Sequence, residues 1–63
     1  MIEITVHYLD NGLVSYTGQD LRFSTVMKSF ILDQKDGGQI IIPLTSVRHI
    51  KTSKPYSIIG AMI

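Results

Sequence analysis

Two adjacent glycines set between two apolar runs constrain this chain more than any other feature. In residues 30–50, FILDQKDGGQIIIPLTSVRHI, Asp36-Gly37-Gly38 supplies the positive-φ positions that a tight hairpin needs. A three-residue loop at Asp36, Gly37 and Gly38 sets Lys35 opposite Gln39, Leu32 opposite Ile42 and Phe30 opposite Leu44. One face then carries Phe30, Leu32, Ile40, Ile42 and Leu44, and is a core face. The other carries Ile31, Asp33, Lys35, Gln39, Ile41 and Pro43, too apolar to be left wholly in water. Pro43 cannot donate to a ladder, which places it at a strand end or on an edge. Thr45-Ser46 reads as a short turn before a further strand at residues 47–51, with Val47 and Ile50 facing inward.

Upstream, Ile2, Ile4, Val6 and Tyr8 alternate with Glu3, Thr5 and His7, the period of a half-buried strand. Asp10-Asn11-Gly12 turns the chain back. A two-residue turn would set Val6 against Thr17 and mix polar residues into the apolar face. A three-residue loop with Gly12 left-handed sets Tyr8 opposite Val14 and Val6 opposite Tyr16, and this register is preferred. Residues 21–24 alternate as a strand followed by a loop. Phe23, Val26, Met27 and Phe30 also fit a helical stripe, but Ser24-Thr25-Val26 is a poor helix former, so at most one short helical turn is expected. The fold class is therefore mainly β: a small five- to six-stranded antiparallel sheet or an SH3/Sm-like barrel. Residues 1–54 form one small β domain. Residues 55–63 form an apolar C-terminal segment, either a last packed strand or a tail that crosses to a neighbouring subunit.

Size then bears on association. A chain of 63 residues without cysteine has neither disulfides nor a thiolate metal site to supplement a small core, yet 44% of its residues are hydrophobic and only 17% are charged. A homo-oligomer is expected, a dimer first of all, with Ile41, Ile58, Ile59 and Met62 at its interface. The net charge of +1 makes no general case for nucleic acid. Arg48, His49, Lys51 and Lys54 form the one basic cluster. No run approaches the roughly 20 apolar residues of a membrane helix and no signal peptide is evident, so a cytoplasmic location is expected.

Residues suited to chemistry are few. The two histidines, His7 and His49, would need a carboxylate such as Glu3 or Asp33 beside them to hold a metal. There is no nucleophile elbow and no phosphate-binding glycine loop. The chain is expected to be no enzyme, with no cofactor and no metal. Binding remains, in two classes. The strand order, with a turn before the last strand, resembles Sm-like and SH3-like barrels, and Asn11-Gly12 with Gly18 is similar to part of the first Sm signature. That resemblance implies a nucleic-acid-binding module, although the glycine spacing departs from the signature and the second signature is missing. The strings YLDNG at 8–12, SFILDQKDGG at 29–38 and IIPLTSVRHIK at 41–51 resemble small β proteins encoded by phages and prophages of Gram-positive hosts, among them inhibitors of host defence such as those directed at the Hachiman system. This second resemblance implies a homodimeric, non-catalytic inhibitor of a host protein, acting in the host cytoplasm. Residue type and expected exposure make Arg22, Arg48, His49 and Tyr56 the candidate partner contacts.

Overall fold

The turns at Asp10–Gly12 and Asp36–Gly38 use the same local device. In the computed structural model, which describes residues 1–59, the Asp10 carboxylate accepts the Gly12 N–H at 2.8 Å and the Asp36 carboxylate accepts the Gly38 N–H at 2.9 Å. Tyr8 N–H donates to Gly12 C=O at 2.9 Å, as Gln34 N–H does to Gly38 C=O at 2.8 Å. Each loop is thus three residues long, but it begins one residue earlier than expected. The positive φ falls on Asn11 (73°) and Gly37 (94°), leaving Gly12 and Gly38 in the closing pairs. An aspartate that bonds the backbone two residues on must sit in mid-loop, and this decides the position.

The first hairpin joins β1 (Ile2–Tyr8) to β2 (Leu13–Gly18), and its register is Val6 opposite Val14 and Ile4 opposite Tyr16. The expected pairs, Tyr8 with Val14 and Val6 with Tyr16, are corrected by two positions. The central hairpin joins β4 (Ser29–Asp33) to β5 (Gln39–Pro43). There Leu32 faces Ile40 and Phe30 faces Ile42, where Ile42 and Leu44 were expected. A slip of two leaves every side chain on its face, because strands alternate with period two. Leu44 alone leaves the core: it opens the 3-10 turn Leu44–Ser46 and is exposed.

Between the hairpins, β3 (Asp20–Ser24) follows β2 almost without a break. Ile2 pairs with Gly18 at the end of the first sheet, and Gln19 N–H already donates to Asp33 C=O at 2.7 Å. The chain therefore passes from one sheet to the other across Gly18. A tight turn from Thr25 to Lys28 closes β3 onto β4, with Ser24 Oγ accepting the Met27 N–H. After the 3-10 turn, β6 (Val47–Thr52) pairs antiparallel with β1. Finally β7 (Ser57–Ile59) pairs with β3 in parallel. The strand orders are β2-β1-β6 and β5-β4-β3-β7, giving a mainly β protein of two small sheets, with no closed barrel among the described residues. The expected antiparallel set of five or six strands thus gains a short parallel strand from the C-terminal segment. That strand needs no tight turn, since residues 53–56 carry the chain across to β3.

The core lies between the sheets. Ile4, Val6, Leu21, Leu32 and Ile42 are fully buried, with Ile2 and Phe30 close behind. Tyr8, Tyr16, Phe23, Ile40, Val47 and Ile50 pack around them. Burying each large aliphatic side chain contributes about 1.5–3 kcal/mol. Val47 and Ile50 face inward as expected, and Phe23 and Phe30 meet at 4.9 Å between ring centroids.

Candidate functional site

One corner of the first sheet gathers exposed apolar and cationic groups around a shallow hollow. The β1–β2 turn is tied to the 3-10 turn by Leu9 N–H donating to Ser46 C=O at 3.0 Å, and Ser46 Oγ donates in turn to Pro43 C=O. Tyr8, Leu9, Asp10, Thr45 and Ser46 line a hollow of about 330 Å³. Leu9 is 55% exposed at its edge. Arg48 reaches the same corner because β6 bulges against β1: His49 pairs with His7, but Val47 pairs with Tyr8, so Arg48 is the extra residue. A bulge re-aims the side chain it carries. Arg48 Nη2 lies 3.4 Å from Leu9 C=O and 3.5 Å from Asn11 Oδ1, long contacts that leave most of its donors free.

Tyr8, at the hollow, is one of a tyrosine pair. Tyr8 and Tyr16 share a hydrogen bond of 2.9 Å between hydroxyls. That bond, with burial and the nearby Asp10 carboxylate, pushes the Tyr8 hydroxyl up to about 12. Tyr8 is therefore a neutral donor or acceptor at physiological pH.

The remaining candidates are dispersed. His49 and Lys51 project from the outer face of the first sheet, opposite His7 and Thr5. Arg22 is committed to Asp33 through Nε at 3.1 Å and Nη2 at 3.0 Å, a fork that leaves it half-buried. Tyr56 sets its ring edge-on to Phe30 at 5.4 Å, so it caps the core as much as it meets solvent. Ile41 is exposed on the outer face of β5, while Ile58 and Ile59 are exposed on β7. Met62 lies outside the described residues. Leu9, Tyr8 and Ser46 escaped the sequence reading, because nothing in their spacing shows that the β1–β2 turn meets the 3-10 turn.

Asp33 is a carboxylate whose ionised form the fold favours. The Gln39 amide and the Arg22 guanidinium hold it below the usual carboxylate range, against the opposing effect of burial. A carboxyl lowered on folding contributes stability in full above its unfolded value of about 3.9 and loses it as pH falls through the lowered folded value. Unfolding measured by circular dichroism at a series of acid pH values should show wild-type stability declining below about pH 4. The decline should be shallower in Asp33→Asn, and no such difference should appear between pH 6 and 8.

Metal chemistry finds little support in the donor arrangement. Among the described residues no group of three His, Cys, Asp or Glu side chains converges. His7 and His49 do meet, with ring centroids 4.0 Å apart and planes at 23°. Rings stacked face to face direct their nitrogen lone pairs along nearly parallel planes, so the pair does not aim at one ion. Among the described residues no helix is long and apolar enough to cross a membrane. No protein-family model matches the chain, and no curated protein or solved structure matches it either.

Proposed function

We propose that this chain is a non-catalytic, homo-oligomeric β protein that works by covering a surface of a protein partner. The observation that carries the proposal is the corner where exposed Leu9 and the loosely held Arg48 flank the Tyr8 hollow. A tyrosine at the hollow and an arginine with free donors are residue types that dominate interface hot spots, and exposed Leu9 adds apolar area beside them. Resemblance to phage-encoded anti-defence inhibitors makes a bacterial defence protein or another host protein the partner, met in the host cytoplasm. A nucleic-acid role is disfavoured by the net charge of only +1, since phosphate binding gains with each cation brought to the backbone.

The test is capture of a partner from host lysate on the tagged protein, with nuclease treatment and a salt series. One stoichiometric host protein, kept at high salt and lost with the Leu9→Ser, Arg48→Glu variant, is the expected result. Arg48→Glu is preferred to a change at Tyr56, which would also uncover Phe30. Recovery of RNA or DNA that washes away as salt rises would overturn the reading.

A further inference from the structure

We infer that the free edge of β5 pairs antiparallel with the same edge of a second copy, about a two-fold axis at Ile41, so that the four-stranded sheets of two protomers become one of eight strands. The inference rests on the self-association part of the proposed function and gives it a place.

The hydrogen-bond register shows which groups are free. Gln34 bonds Gly38 at one end of the β4–β5 ladder, and Leu44 N–H donates to Lys28 C=O at 2.9 Å at the other. Alternation along an antiparallel pair then turns the N–H and C=O of Ile40 and Ile42 toward β4, and those of Gln39 and Ile41 outward. Pro43, which has no N–H, falls on the outward set and costs the ladder nothing. The outward set is self-complementary. About Ile41, each copy's Ile41 N–H meets the other's Ile41 C=O, and each Gln39 N–H meets the other's Pro43 C=O. Four backbone bonds result, and the missing proline donor is confined to the two ends.

The other edges are blunted where this one is not. Edge strands are kept from pairing by charge, bulges, brevity or cover. On β6 stand Arg48, Lys51 and the bulge. On β2 the Thr17 C=O already accepts from Gln34 Nε2 at 3.1 Å, and β7 has three residues among those described. By contrast β5 reads QIIIP, without a charge. Its central Ile41 is 42% exposed, beside Ile31 at 6% on the same face. In the two-fold pair Ile41 meets its copy and extends that apolar row. Arg22 and Asp33, which share the face of Ile41, already neutralise one another.

Light scattering and native-state amide exchange on the full chain test this together. The expected result is a dimer whose Gln39 and Ile41 amides, unpaired within one protomer, exchange at least about tenfold more slowly in the dimer than after dilution to monomer. Ile41→Lys should be a monomer and Ile59→Lys a dimer. A chain that is monomeric at every concentration would overturn the inference. So would a dimer whose Gln39 and Ile41 amides exchange unprotected, or one dissociated by Ile59→Lys but not by Ile41→Lys. Partner capture is scored separately with the Leu9→Ser, Arg48→Glu variant, which leaves β5 untouched, so failure of the dimer and failure of the partner reading are different results.

Discussion

Leu32→Ala should lower the unfolding free energy by about 2–5 kcal/mol, the range for truncating a buried leucine when the site collapses only in part. Leu32 is 0% exposed, pairs with Leu21 on one side and Ile40 on the other, and lies against Gly18 where the sheets join. Few neighbours there can move inward, because the strands on both sides are held by ladders. A chain of this length has roughly 3–9 kcal/mol of stability in all, so the variant should lose about half of it and unfold at a much lower urea concentration. Urea denaturation followed by circular dichroism checks this. A midpoint within error of wild type would show that the core is not where the two sheets meet.

Adding a single methyl group at Gly18 should do comparable damage by the opposite route. A Cβ on Gly18 would stand 2.6 Å from Leu32 Cδ1 and 2.7 Å from Asp33 C=O. The first contact could be relieved by a rotamer change, but the second is backbone. That carbonyl is also the acceptor for Gln19 N–H, so moving it breaks the bond that starts the second sheet. Overpacking typically costs about 1–3 kcal/mol and more where backbone must shift, and Gly18→Ala belongs at the upper end. The comparison that isolates the cause is Gly37→Ala. There the added Cβ meets nothing within 4 Å and only the positive φ is penalised, at roughly 1 kcal/mol. Gly18→Ala should therefore unfold at a clearly lower urea concentration than Gly37→Ala, and the reverse order would exclude a steric origin.

The two glycines show how differently parts of this fold are written. Gly37 is legible as a turn residue, since an Asp-Gly-Gly between apolar runs has few other uses. Gly18 reads as no more than the end of a hairpin. Its close approach to Leu32, 14 positions on in the chain, depends on how two sheets are stacked. The candidate site divides in the same way. Arg48 could be chosen by type, but its aim depends on a bulge in the β1–β6 pairing. Arg22 was equally attractive by type, and pairing with β4 set Asp33 within reach of it. Leu9 carried no signal, because its exposure matters only beside the 3-10 turn.

What the amino-acid order determined by itself was the strands, their turns and the face each residue takes. Those rest on local physics: a period of two, aspartates that bond the backbone two residues ahead, and residues tolerant of positive φ. Even a misplaced loop shifted the register by two and left every face intact except at Leu44, which leaves the strand for the 3-10 turn. Only the tertiary structure decided that β2 and β3 divide between two sheets at Gly18, that β6 returns to β1, and that β7 lies parallel to β3. These pairings join residues about 30 to 50 positions apart. Backbone hydrogen bonds are alike in every strand, so the choice falls to which apolar faces can be buried together.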